Sequence, residues 1–267
     1  MTAAIAPGPT EGIEPRELWV VQLGVMGYEE ALEIQRAAAR ARISGEVPQD
    51  LLILVEHPPV ITLGRSARAS NLLSDREALA SKGVELFEVE RGGDVTFHGP
   101  GQVVGYTIVD LKRHRRDLHW ILRQIEEALI RTLAVYGIAA DRDIGRTGVW
   151  TSGRKIASIG LHARDWVTWH GFALNVMTDL SYFDLMVPCG LEGVSMTSIA
   201  REAGISGNAI DLPVTTEAAG NASAAELAEV LGLKVRVIDV SGLAEKLLPA
   251  SDDRKPTTGI RHPISDI

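Results

Sequence analysis

The sequence predicts a mixed domain in which strands and helices alternate around one large core. Three observations carry that expectation. The chain has 267 residues and is 45% hydrophobic, enough to bury a substantial core in one large domain or a domain with an appendage. Short apolar or alternating runs of strand length recur along it, and two longer segments place apolar residues at helical spacing. There is no internal repeat and no heptad pattern.

In chain order, LWVVQLG from Leu18 reads as a strand, and GYEEALEIQRAAARARI gives a helix from about Tyr28 to Ile43. LLILVEH at 51–57 is almost wholly apolar, as in a strand covered on both faces. Pro58 and Pro59 stop it, and VITLG at 60–64 resumes a short extended piece. Ser74 is the expected cap of a helix running through Ser81, with Glu77 completing a capping box. VELFEVE at 84–90 alternates like a half-exposed strand, and VVGYTIVDL at 103–111 reads as another. Leu118, Ile121, Leu122, Ile125, Leu129 and Leu133 define a long helix from about Asp117 to Tyr136. Residues 148–176 read as a meander of three strands, with turns at Ser152-Gly153 and near Ala163 to Asp165. Past Ile199 the text loosens, with AAELAEVLG as a short helix and KVRVIDV as a strand. The expected organisation is a flexible segment at 1–17, one main domain at 18–249 with an insertion at 205–225, and a mobile tail at 250–267.

Composition narrows the function. A net charge of -8 argues against broad attraction to nucleic acid or to an anionic membrane. No basic start precedes an apolar leader, and no run approaches membrane-spanning length, so the expectation is a soluble, cytoplasmic protein. The single cysteine, Cys189, allows no internal disulfide and no cysteine-rich zinc site; its thiol is either a small core hydrophobe or a reagent. The seven histidines show no compact ligand spacing, so no metal is expected. A basic run from Lys112 to Arg116 is either a solvated loop at a helix entrance or a docking patch for an acidic partner.

The densest punctuation is RGGDVTFHGPGQ, from Arg91 to Gln102, with four glycines and one proline. It lacks GxxxxGK[ST] and the GxGxxG order, so it is not a standard phosphate cradle. Glycines there let backbone approach a ligand closely, or simply connect two strands. Thr96 and His98, two apart, share a face if extended. Arg91 could hold a carboxylate, a phosphate or a neighbouring loop.

Arg91-Gly92-Gly93, Thr96-Phe97-His98, Gly101-Gln102 and Tyr106, followed in order by GRKIASIG at 153–160, GFALNV at 171–176 and PCGL at 188–191, resemble the signature of the octanoyltransferases of lipoate biosynthesis. The similarity covers roughly residues 18 to 200, and the segments after it fit the family less well. The resemblance implies an α+β fold of the biotin/lipoate protein ligase type, a single mixed and largely antiparallel sheet with flanking helices. It implies an acyltransferase that moves octanoyl (or lipoyl) from acyl carrier protein to the target lysine of lipoyl domains and of the glycine cleavage H protein, as the first committed step of endogenous lipoylation. No cofactor or ATP is implied, and the enzyme is expected to be a monomer. Carried over residue by residue, Cys189 is the acyl-accepting nucleophile and Lys155 the group that activates it. A thiol ordinarily ionises near pH 8.5, and a nearby ammonium favours the attacking thiolate. Arg91, Gly92, Gly93, Asp94, Val95, Thr96, Phe97 and His98 would form the substrate site with Ser158, Ile159, Gly160, Gly171, Phe172 and Ala173. His98 either orients the reacting pair or sits in a structural network as a neutral histidine. The readings in competition are an ATP-dependent lipoate or biotin ligase, a transferase working between two lipoyl-bearing proteins, and a binding module without catalysis. Cys189 is the feature that separates the first of these from the cysteine mechanism.

Overall fold

A computed structural model describes residues 16–190, 193–206 and 213–247, apart from the side chains of 189, 205 and 206. The expectations for the N-terminal segment up to residue 15, for 207–212 and for the 250–267 tail lie outside the described residues. In chain order the elements are β1 (Glu17–Val25), α1 (Tyr28–Ser44), β2 (Asp50–Glu56), β3 (Val60–Leu63), α2 (Arg76–Ser81), β4 (Glu85–Glu88), β5 (Val95–His98), β6 (Gln102–Ile108), α3 (Leu118–Val135), β7 (Asp141–Asp143), β8 (Arg146–Thr151), β9 (Arg154–Arg164), β10 (Val167–Asn175), α4 (Ile199–Ser206), α5 (Thr216–Leu231), β11 (Lys234–Val237) and α6 (Val240–Leu247).

The main sheet has eight strands in the order β11-β1-β2-β6-β10-β9-β8-β7. Its first three strands run parallel and every other pairing is antiparallel, so the mixed, largely antiparallel expectation is borne out. A three-stranded sheet, β4-β3-β5, accompanies it. Because side chains alternate along a strand, each strand feeds two cores. Leu18, Val20, Leu52 and Leu54 pack with α3 and α5, whereas Trp19, Val21, Ile53 and Val55 pack with α1 and α6. That is why β2 reads as a continuous apolar run. The small sheet has a core of its own, built on Ile61, Val95 and Phe97.

Several local features differ from the sequence expectation. The cap of α2 is Asp75, not Ser74; its carboxylate accepts from Ala78 N at 2.8 Å. The glycine-rich stretch is not a plain connection, since it contains β5, which pairs antiparallel with β3. The text from Thr216 onward is not loose: Thr215 caps α5 by accepting from Ala218 N, and the helix ends at left-handed Gly232. Its small residues are what lets it lie close to the sheet, with Ala219, Gly220, Ser223 and Ala224 on the buried face. β7, α4 and α6 complete the list; three residues in the first and eight in each of the others carry too little periodic signal to be read.

One knot of buried charge ties α1 to the sheet and accounts for one member of the basic run. Arg42 Nε and Nη2 donate to Asp50 Oδ1 at 3.2 and 3.1 Å, and Arg42 Nη1 lies 3.7 Å from Asp110 Oδ2. His114 Nε2 sits 2.6 Å from Asp50 Oδ2, so this member of the run is structural. Arg113, Arg115 and Arg116 stay exposed. Burial alone would raise the Asp50 carboxyl, but the hydrogen bonds from His114 and the Asp110 amide, with the Arg42 charge, outweigh it and hold it below the usual carboxylate value. Removing one partner of such a pair strands the other charge in the interior. Asp50→Ala is therefore expected to cost about 3–5 kcal/mol in denaturant unfolding at neutral pH. Because the folded carboxyl ionises below its unfolded value, its contribution is complete above about pH 4 and disappears as pH falls through the folded value, so parent and variant should converge in acid.

Candidate active site

Where β6, β10 and β9 run side by side, the glycine-rich stretch crosses over β9 as a strap. Gly92 N donates to Leu161 O at 2.8 Å, and the strap's own carbonyls accept from the residues after β3: Arg91 O from Arg65 N at 3.0 Å, Gly93 O from Ser66 N at 3.1 Å and Asp94 O from Gly64 N at 3.2 Å. A Cβ on Gly160 would come within 2.8 Å of Gly92 O, so the strap can seat itself only over a glycine. Beneath it is a cavity of about 360 Å³, at the lower end of the roughly 300–1,000 Å³ usual for small-molecule sites.

The strap and the strands place most of the expected residues in that cavity wall. Arg91, Gly92, Gly93, Asp94, Val95, Thr96 and His98 line it, as do Lys155, Ser158, Ile159, Gly160, Gly171, Phe172 and Ala173. Phe97 does not. On β5 it alternates with Thr96 and His98, so it points the other way, stacking on Tyr182 at 4.6 Å and meeting Phe183 edge-on within the small sheet's core. Arg91 holds neighbouring structure: Nε and Nη2 donate to Thr62 Oγ1 at 3.2 and 2.8 Å, Nη2 to Thr62 O at 2.7 Å and Nη1 to Gly92 O at 3.0 Å.

Lys155 is 2% exposed, and its Nζ lies 5.4 Å from the centre of the Trp150 ring. Its backbone is clamped by a distant segment, with Lys155 N donating to Ser195 O and Lys155 O accepting from Thr197 N, both at 2.9 Å. That segment follows closely on the 3-10 turn Pro188–Gly190, which carries Cys189. The turn is fixed by Gly190 N donating to Val187 O at 3.0 Å and Val187 N donating to Asn71 O at 2.8 Å. Gly190 has φ +65°, and a Cβ there would fall 2.4 Å from Asp94 Oδ2, so the turn lies directly against the strap. The Cys189 side chain, like 191–192, is outside the described residues. The fold thus brings the turn bearing the cysteine, the strap and the lysine strand to one place.

Sequence reasoning missed several residues in the wall, including Tyr28, Leu118, Leu122, Thr147, His162 and His170. Leu118 and Leu122 belong to the apolar stripe of α3, and a stripe does not reveal that its first turn overhangs a cavity. His57, behind the wall, was equally silent. His57 Nδ1 faces Met26 O at 2.8 Å and must donate to it; its Nε2 therefore accepts from Tyr106 Oη at 2.6 Å. Burial lowers His57 to about 4, and burial together with the His57 charge lowers His98 to about 3. His170, in the left-handed region at φ +58°, is lowered by burial to about 3; its Nε2 makes no hydrogen bond and lies 3.9 Å from Glu90 Oε1. Burial also pushes Tyr28 up to about 12 and raises Tyr106 well above its ordinary value. The cavity is thus backed by neutral histidines and tyrosines at physiological pH.

A family model described as the lipoyl protein ligase A/B catalytic domain matches residues 27–226, and the chain belongs to that family. Among its curated relatives, an octanoyltransferase of Acidobacterium capsulatum is 46% identical over 237 residues, 84% of this chain and 94% of the relative. An octanoyltransferase of Rubrobacter xylanophilus is 54% identical over 183 residues, 68% of this chain and 81% of the relative. The protein is accordingly an enzyme of the acyltransferase class, similar to octanoyltransferases. In fold it resembles a bipartite lipoate protein ligase of Thermoplasma acidophilum, with TM-score 0.63 at 18% identity over 87% of this chain and 90% of the other. It also resembles a lipoate-protein ligase A bound with ATP, with TM-score 0.62 at 16% identity over 87% and 92%. Among the described residues no helix is long and apolar enough to cross a membrane.

The buried histidines give the site a pH signature. An unfolded histidine titrates near pH 6.5, whereas these three titrate at about 4, about 3 and about 3 when folded. Between those limits the unfolded chain binds more protons, so stability falls as pH drops below about 6.5, by at most ~1.4 kcal/mol per pH unit for each group. Thermal unfolding followed from pH 7 to 4.5 should show this decline, with a shallower slope in His98→Asn. A midpoint that stays level across that range would contradict the assignment.

Proposed function

We propose that this enzyme transfers an octanoyl (or lipoyl) group from acyl carrier protein to the target lysine of lipoyl domains, including the glycine cleavage H protein, through a thioester on Cys189 and without ATP. The observation that carries the reading is the burial of Lys155 in the wall of a cavity that the cysteine-bearing turn adjoins. A lysine at a hairpin would ordinarily extend into water. Here the hairpin turn is at Ser152-Gly153, yet Lys155 is turned inward beside Trp150.

The chemistry begins with Cys189 as thiolate, stabilised by the Lys155 ammonium. Its sulfur attacks the thioester carbonyl of the donor; the donor's thiolate leaves and takes a proton from Lys155, and octanoyl-Cys189 remains. The target amine then attacks the new thioester, gives its proton to Lys155 and expels the Cys189 thiolate, which restores the starting pair. The first step exchanges one thioester for another and the second ends in an amide, so no further activation is required. Val104, Ile159 and Phe172 supply an apolar wall for the chain. Burial of the six methylenes and terminal methyl at about 0.8 kcal/mol each contributes a gross ~6 kcal/mol, enough for selection by length. The amides of Gly92 and Gly190 are already donated to Leu161 O and Val187 O, so neither is counted as an oxyanion donor.

The test is the intact mass of the protein after incubation with octanoyl-acyl carrier protein in the absence of ATP. One octanoyl group should be gained, removed by hydroxylamine and absent from Cys189→Ala, and Lys155→Ala should slow its appearance by at least about a hundredfold. Octanoylation of a lipoyl domain that appears only with free octanoate and ATP would place the enzyme with the ligases instead.

A further inference from the structure

A row of buried amides links the cavity wall to the backbone of Lys155. Gln102 Nε2 donates to Phe97 O at 3.2 Å and to Asn175 Oδ1 at 2.9 Å, which commits both of its protons and leaves Oε1 to face His98 Nδ1 at 2.9 Å. A glutamine oxygen only accepts, so His98 carries its proton on Nδ1 and donates it. Asn175 Nδ2 donates in turn to Thr197 O at 2.9 Å, and Thr197 N donates to Lys155 O at 2.9 Å. Every link points the same way, from His98 through Gln102, Asn175 and Thr197 to Lys155. Chains of this kind polarise and stiffen one another inside a low-dielectric interior. Gln102 and Asn175 are each 1% exposed and Thr197 is fully buried.

The far side of the same segment is anchored as well. Thr197 Oγ1 donates to Glu202 Oε1, and Glu202 accepts two hydrogen bonds, at 2.9 and 2.8 Å, from Arg154, the neighbour of Lys155. Ala200 N reaches back to Val176 O at 2.9 Å. Residues 195–197 are therefore held from two directions, and they are both the clamp on Lys155 and the continuation of the chain that carries Cys189.

We infer that Gln102 and Asn175 are positioning residues for the Cys189–Lys155 pair: they touch neither reacting atom, but fix the segment whose placement sets how lysine and cysteine meet. The inference rests on the reading of those two as the reacting pair. It gives His98 its place too, as the neutral donor at the head of the row and not as a proton carrier.

The experiment compares the parent with Asn175→Ala and Gln102→Met, which nearly preserves volume but removes both amide protons. Two quantities are read: steady-state transfer from octanoyl-acyl carrier protein, and the rate at which Cys189 is alkylated by iodoacetamide at pH 7. Expected is a fall in kcat of about tenfold or more with KM for the donor within twofold, and a parallel fall in alkylation rate, in protein whose circular dichroism is unchanged. A general loosening of the fold would instead expose the thiol and raise its alkylation. Unchanged kcat and alkylation in either folded variant would overturn the inference. If the parent accepts no octanoyl group, the proposed function fails, while the alkylation comparison still decides whether the row controls the thiol.

Discussion

An amine taken out of water has to be held, and the arrangement around Lys155 is the constraint on which the rest of the site depends. A flexible four-carbon stem does not stay buried on its own account, because desolvating the charged head is expensive unless the surroundings compensate. The fold answers by fixing the backbone at that position on both sides, through Ser195 and Thr197, and by leaving room at Gly148, where a Cβ would fall 2.7 Å from Lys155 Cε. The neighbouring Gly148 amide is itself held by the buried Glu126 of α3, whose Oε1 accepts from it at 3.1 Å. Helix α3, strand β8 and the segment after the cysteine turn thus converge on one side chain.

The same economy of charge governs the back of the cavity. Tyr28, His57, His98 and Tyr106 form a contiguous cluster of rings, with Tyr28 stacked on His98 at 6.0 Å and edge-on to His57 at 5.3 Å. If any imidazole there were protonated, it would sit among buried aromatic rings with no carboxylate of its own. Keeping all of them neutral lets the cluster pack like a core while its polar atoms are satisfied by Met26 O, Tyr106 and Gln102. Glu90, the carboxylate near His170, is spoken for: burial would raise it, but hydrogen bonds from Arg36 and Trp169 hold it at about 2. The acidic and basic side chains of the cavity wall, Arg91, Asp94, Arg146 and Lys155, lie outside that ring cluster.

What could be read in the sequence follows from this physics. The strands and long helices were legible because apolar periodicity is a local record of two-sided burial, and β2 shows it best. α5 was legible only in its second half, as AAELAEVLG, because its first half packs through Ala219, Gly220 and Ala224, and small residues look the same in a close helix–sheet contact as in a loop. The strap was legible as a site but not as a shape: the alternation that correctly put Thr96 and His98 on one face also sends Phe97 away from the cavity, a consequence that a contiguous motif conceals. His57 and Tyr28 left no signal, since each acts through a neighbour far along the chain.

The likeness to ligases sharpens what the scaffold does and does not decide. At 16–18% identity the likeness is one of fold alone, and it says nothing of how the acyl group is activated. In this chain Asp94 bears on that difference. Its carboxylate accepts from Val95 N at 2.8 Å and from Asn71 Nδ2 at 2.6 Å, and the turn at 188–190 comes up against the same oxygens where Gly190 has no side chain. The strap is therefore braced towards the cysteine turn, and Arg91 is already engaged with Thr62 and Gly92. Under the proposed mechanism the activation is delivered with the substrate, as a thioester.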